Sequence, residues 1–159
     1  MASHQAQRAL SGGGISMITG LDHIGVVAHS IDQAVDVLQN QMGFPLDLSR
    51  SPLPDGAYFA PEGTHNYFFQ VGEGQTQIEV LIPVLEEKGT YKYLQRFGAG
   101  LHHWGYGCDD VEAEAARLAG QGLRRIDLDE PAGTKVTAAF FHPKSASGIL
   151  TELVPTRMR

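Results

Sequence analysis

Cysteine is nearly absent. The 159-residue chain has one, Cys108, so no intrachain disulfide can form, and a reducing, cytoplasmic setting is the default expectation. Long apolar runs are missing too. Nothing approaches the roughly 20 residues of a membrane span, so no membrane association is expected. Basic residues are outnumbered, 12 Lys and Arg against 18 Asp and Glu, for a formal net charge of −6. A nucleic-acid backbone calls for a basic patch and is therefore not the expected partner. An anionic small molecule stays open, because it needs only a few well-placed cations. The first 16 residues, MASHQAQRALSGGGIS, lack the apolar stretch of a secretory leader. They are polar and glycine-rich, and a disordered tail is expected over residues 1–18. The remainder, 19–159, has the length and ordinary composition of one compact domain.

What the chain does have is an internal repeat, and repeats decide folds. LDHIGVVAHSI at 21–31 lies over LHHWGYGCDDV at 101–111 with an offset of 80. Leu21 falls on Leu101, His23 on His103, Gly25 on Gly105 and Ile31 on Val111. The halves also end alike: QIEVLIP at 77–83 resembles LTELVPT at 150–156, with Glu79 over Glu152. Local patterns agree. Residues 21–28 read as a strand. Ser30 and Gln33 form a capping-box pattern before Ile31, Ala34, Val35, Leu38 and Met42, which recur at helical spacing until Gly43. Asp109 or Asp110 can cap a second helix that turns Val111, Ala115 and Leu118 inward and stops at Gly120–Gly122. Strands are expected near 56–60 (an edge strand), 66–71, 77–82, 137–141 and 148–154. Tyr91, Leu94 and Phe97 suggest a short linking helix.

Alternate residues of a strand share a face. That parity puts His23 with Leu21 and Gly25, and His103 with Leu101 and Gly105. It puts His102 with Trp104 and Tyr106 on the opposite face, as a structural residue or one that supports a ligand. Glu79 stands apart from Ile78 and Val80, and Glu152 from Thr151 and Leu153. Each half thus offers one imidazole and one carboxylate on the face away from its helix. If two curved sheets close on each other, the four converge as a metal site. His23, Glu79, His103 and Glu152 together suit one divalent ion of Co, Zn, Ni, Mn or Fe. His4, His29 and His65 have no such pattern. Cys108 corresponds to Ala28 in the repeat and reads as packing. The expected fold class is α+β: two tandem βαβββ modules, about 19–84 and 99–155, joined by a linker helix at about 85–98. They form a curved mixed sheet around a metal-binding cleft.

LDHIGV (21–26), QIEVLIP (77–83), AGLHHWGY (99–106), DEP (129–131), HPKS (142–145) and GILTEL (148–153) resemble the vicinal oxygen chelate (glyoxalase/bleomycin resistance/dioxygenase) superfamily. Within it the likeness is nearest to the methylmalonyl-CoA epimerase branch. It runs from about residue 19 to 155. The resemblance implies a glyoxalase-like fold, a homodimer, and a small-molecule substrate that is an acyl-CoA thioester. It implies proton transfer beside the thioester carbonyl through a metal-stabilised enolate. Matched by position, the ligands are again His23, Glu79, His103 and Glu152, and Glu152 is also the catalytic base. Lys144 and Lys135 become candidate phosphate contacts. Two departures stand out: Asn66 occupies a position where some epimerases carry a second catalytic Glu, with Glu62 nearby, and the turn before HPKS is short. Alternative readings are a glyoxalase I-like lyase, another metal-dependent enzyme such as a ring-cleavage dioxygenase, and a non-catalytic binding protein of the same fold.

Overall fold

The computed structural model describes residues 15–158; the expected tail as far as residue 14, with His4, lies outside the described residues. The first strand, β1, spans Ile18–Val27. It thus begins inside the stretch assigned to the tail. Just before it, Ser16 Oγ and the Met17 amide donate to the buried carboxylate of Glu114. Then follow helix α1 (Ile31–Ala34, continued by Val35–Gln41), β2 (Ala57–Phe59), β3 (Thr64–Gln70), β4 (Gln77–Pro83), helix α2 (Gly89–Phe97) and β5 (Gly100–Cys108). Helix α3 (Val111–Gly120), β6 (Arg125–Ile126), β7 (Ala139–Phe141), a 3₁₀ turn (Pro143–Ser145) and β8 (Thr151–Pro155) complete the chain. No helix among the described residues is long and apolar enough to cross a membrane.

All eight strands form one sheet in the order β2-β3-β4-β1-β5-β8-β7-β6. The order reads as a duplication: β4 runs parallel to β1 and β8 parallel to β5, and the two modules meet where β1 pairs antiparallel with β5. The two modules thus form the expected curved mixed sheet, a single one, curled so that one face is concave. The helices of the two modules cover the other face. Ile31, Ala34, Val35 and Leu38 of α1 pack on Tyr67, Phe69 and Val80. Val111 and Ala115 of α3 pack on Ala139, Phe141 and Leu153.

The helix caps follow from sequence. Ser30 Oγ accepts from the Gln33 amide, and Asp110 Oδ1 from the Ala113 amide. Helix α1 departs from its expected periodicity. After one α-helical stretch, Ile31–Ala34, it widens to a π-helix over Val35–Gln41. The wider turn rotates Met42 off the inner stripe, and it is 58 % exposed.

Leu153 is fully buried beneath α3 on the strand that carries Glu152. Leu153→Ala should cost roughly 2–5 kcal/mol, the usual range for emptying a packed leucine site. Urea denaturation checks this; an unchanged midpoint would mean that the second module's core does not rest on this residue.

Candidate metal centre

The four central strands each deliver one polar side chain to the concave face: His23 from β1, Glu79 from β4, His103 from β5 and Glu152 from β8. Their exposures are only 1, 5, 2 and 8 % respectively. Register explains the convergence. Glu79 pairs with Gly25 on β1, and Glu152 pairs with Gly105 on β5. Across the central pair His23 faces Gly105 and His103 faces Gly25. Each imidazole therefore lies over a glycine of the other module. A methyl group built on Gly25 would stand 2.1 Å from the His103 ring, and one on Gly105 2.1 Å from the His23 ring.

Both Nε2 atoms point at one spot, 3.0 Å apart. Glu152 Oε2 lies 2.8 Å from His23 Nε2 and 3.0 Å from His103 Nε2. Glu79 Oε2 lies 3.2 and 3.1 Å from the same two atoms. It is buried with no hydrogen-bond partner among the described residues. Separations of about 3 Å are what donor atoms would show when each is about 2.0–2.2 Å from one ion. An orphaned carboxylate oxygen aimed at two imidazoles fits the same purpose. The residues thus fit a first-row divalent ion.

Electrostatics support charge in this buried place. Burial opposes charging His23, but Asp22, Glu152 and Glu79 outweigh it and raise its pKa to about 10. Against its own burial, His103 is raised to about 9 by Glu152 and Glu79. Burial would raise Glu152, yet the two imidazoles hold it down at about 2. A divalent cation held by these four residues would take the place of protons on the two imidazoles.

Behind each ligand-type histidine sits a bulge that parity could not reveal. On β1, Leu21 pairs with Tyr106 and His23 with Gly105, so Asp22 is the extra residue. His23 Nδ1–H donates to Asp22 Oδ1 at 2.8 Å. Asp22 in turn accepts from Arg50 at 3.1 Å and from Arg157 at 2.5 Å. Burial would raise its pKa; His23, Arg50 and Arg157 hold it at about 2 instead. On β5, Gly25 pairs with His103 and Val26 with Leu101, so His102 is the extra residue. The bulge turns His102 toward the cleft, not away from it as alternation predicts, and its Nδ1 lies 2.9 Å from His103 Nδ1. Burial first, and then the neighbouring His103, push the His102 pKa down to about 4.

The cluster floors a cleft of about 300 Å³. Its walls are apolar where Phe59, Leu81, Ile126, Leu128, Phe140 and Leu150 stand, and polar at Asn66, Thr90, Tyr93 and Glu62. Asn66 Nδ2 donates to Glu79 Oε1 at 2.9 Å. Glu62 Oε2 accepts from the Thr90 amide and hydroxyl, at 3.1 and 2.9 Å, and so caps α2. Neither Lys144 nor Lys135 lines the cleft. Lys144 is exposed on the 3₁₀ turn before β8, and Lys135 is exposed beside Asp109, Asp110 and Glu112. Asp22, Arg50 and Arg157 are site residues that sequence reasoning missed; His102 touches the His103 ring, in keeping with an expected supporting role, but faces the cleft, which alternation did not foresee.

A one-sheet pair of βαβββ modules with two histidines and two carboxylates on its concave face defines a vicinal oxygen chelate protein. The chain belongs to the Glyoxalase/Bleomycin resistance protein/Dioxygenase superfamily, whose sequence profile matches residues 22–141. It is 29% identical over 143 residues to an ethylmalonyl-CoA/methylmalonyl-CoA epimerase of Cereibacter sphaeroides, covering 86% of this chain and 98% of that protein. The structure is similar to that of methylmalonyl-CoA epimerase from Mycobacterium tuberculosis, with TM-score 0.74, 27% identity, and 94% and 96% of the two chains covered. It is also similar to a Streptomyces coelicolor methylmalonyl-CoA epimerase variant in complex with 2-nitronate-propionyl-CoA, with TM-score 0.72, 28% identity, and 89% and 99% covered.

The crossed glycines give a direct test. Gly25→Ala and Gly105→Ala should each destabilise the protein by about 1–3 kcal/mol, since the methyl meets a packed ring with nowhere to move. Gly20→Ala is the control, because its methyl would meet nothing within 4 Å. Thermal melts of the three variants that fall together would show that the crossing imposes no constraint.

Proposed function

We propose that the chain is a divalent-metal-dependent epimerase or isomerase that moves a proton on the carbon beside the carbonyl of an acyl-CoA thioester. The placement of Glu152 carries this reading. It is a buried carboxylate whose hydrogen-bond partner is an imidazole, at the floor of a mostly apolar cleft. The other two carboxylates of the cleft accept from groups other than imidazoles, Glu79 through Oε1 from Asn66 and Glu62 through Oε2 from Thr90. The epimerase relatives support the same reaction class.

His23, Glu79, His103 and Glu152 would hold the ion. When bound, it supplies Lewis-acid stabilisation of negative charge on the substrate's carbonyl oxygen. Glu152 takes the proton from the adjacent carbon, and the electron pair of the broken C–H bond moves toward that oxygen to leave an enolate. Return of that proton by Glu152 to the same face gives exchange without inversion; epimerisation takes a second proton donor on the opposite face of the enolate, while Glu152 keeps the proton it removed. Phe140, Leu81 and Leu150 keep water from the exposed carbon. Asn66 fixes one oxygen of Glu79, so that its other oxygen stays aimed at the two imidazoles. Asp22 holds the His23 ring by its far nitrogen, which keeps Nε2 turned inward. Lys144 and Lys135 remain proposed phosphate contacts outside the cleft.

Metal-loaded protein incubated in heavy water with a panel of acyl-CoA thioesters should place deuterium beside the carbonyl of a methylmalonyl-type substrate. No uptake from any member at full metal loading would overturn the reading. Metal content is a separate check. The His23→Ala, His103→Ala double variant should lose the ion, and Asp22→Asn should bind it about 10–100-fold more weakly. Full occupancy in the double variant would refute the ligand assignment. At equal metal content, Glu152→Gln should slow exchange by about two orders of magnitude or more, the scale of a lost general base. Glu79→Gln should be milder. Equal, small losses would leave Glu152 as a ligand only.

A further inference from the structure

The two modules use their bulges differently. Asp22 and His102 occupy equivalent places in the repeat, each one residue before a ligand-type histidine and each in contact with that ring's Nδ1. Asp22 is buried at 6 % exposure under Arg50 and Arg157 and does not line the cleft. His102 does line it.

Its hydrogen bonds then follow from ring chemistry. If His103 coordinates through Nε2, its only proton is on Nδ1, which must donate to His102 Nδ1 at 2.9 Å. His102 accepts there, so its own proton sits on Nε2. That nitrogen has no hydrogen-bond partner among the described residues, while the ring is held edge-on against Tyr93 with centroids 4.9 Å apart. The Tyr93 hydroxyl is itself occupied with the Leu101 carbonyl. Among the described residues no lysine or arginine lines the cleft. The neutral N–H of His102 is therefore a donor beside the cluster that is available to an oxygen of the bound molecule.

We propose that His102 is a substrate-binding residue whose Nε2–H donates to an oxyanion of the molecule in the cleft, with its orientation set by the bond from His103. The proposal rests on the metal-dependent reading above. It assigns substrate recognition unequally: the first module's bulge steadies its histidine, and the second module's bulge also reads the substrate.

The test compares wild type, His102→Phe and His102→Gln, all loaded with cobalt. Phenylalanine keeps the ring's shape and removes both hydrogen bonds; glutamine offers an amide acceptor and donor in one side chain. Three measurements are made: cobalt affinity, malonate binding followed by the visible spectrum of the cobalt protein, and kcat and KM for deuterium exchange into methylmalonyl-CoA. At equal cobalt loading, His102→Phe should weaken malonate binding and lower kcat/KM by about tenfold or more, the scale of one hydrogen bond to a charged group. His102→Gln should recover most of both. Unchanged malonate binding and kcat/KM in His102→Phe would overturn the proposal. So would a loss confined to cobalt affinity, which is what mere support of His103 would give. If wild type binds cobalt and malonate but exchanges no proton, the epimerase reading fails and the malonate series still decides His102. If wild type binds no cobalt, the proton assignment has no basis and both fall.

Discussion

Everything at the centre of this protein depends on a crossed pairing between β1 and β5. His23 lies over Gly105, and His103 over Gly25. Two large rings can share the middle of a continuous sheet only if the backbone opposite each offers no side chain. The same glycines pair sideways with Glu79 and Glu152. One register thus places two rings and two carboxylates together, and none of the four comes from a loop. Sites built on strands hold their geometry more closely than sites on loops. Here the four donors come from the four innermost strands of eight.

Much of this was legible because a duplication writes its pattern twice. One histidine on an apolar strand says little, but LDHIG and LHHWG at the same offset as their helices say where the sheet's symmetric centre lies. Alternation then put Glu79 and Glu152 on the proper face, since Val80 and Leu153 beside them are core residues of the helix-covered side. What stayed hidden has one physical origin. A bulge adds a residue without changing composition, so nothing in the sequence distinguishes a bulged His102 from one that alternates. The same blindness covered Asp22, which looked like an ordinary polar residue between Leu21 and His23. Its arginine partners come from Arg50, in a loop, and Arg157, beyond the last strand, and no local pattern links segments so far apart. Met42 failed for a related reason: a 3.6-residue period was projected onto a stretch that winds as a π-helix.

Duplication also explains how two similar halves come to do unlike work. The repeat preserves the backbone event, an extra residue before each ring, while leaving its side chain free to differ. An aspartate in the first copy brings negative charge behind His23 and requires two guanidinium groups to neutralise it in the interior. A neutral histidine in the second copy requires none and leaves its far nitrogen to the cleft. The apolar residues of the cleft come from both modules, Phe59 and Leu81 from the first and Ile126, Leu128, Phe140 and Leu150 from the second, whereas Glu62, Asn66, Thr90 and Tyr93 come from β3, the turn before it and α2.

Arg50 and Arg157 reach Asp22 from segments far apart in the chain, and Arg50 also lies over the Phe68 ring, 3.6 Å from its centroid. Phe68 stands edge-on to the His23 ring on the concave side. The His23 ring is therefore gripped twice by one arginine, through charge at its back and through an aromatic wedge at its edge. A loop that never enters the cleft thereby acts as a lever on the angle of a buried imidazole. Sequence drift in that loop would retune the centre without altering any residue that faces it.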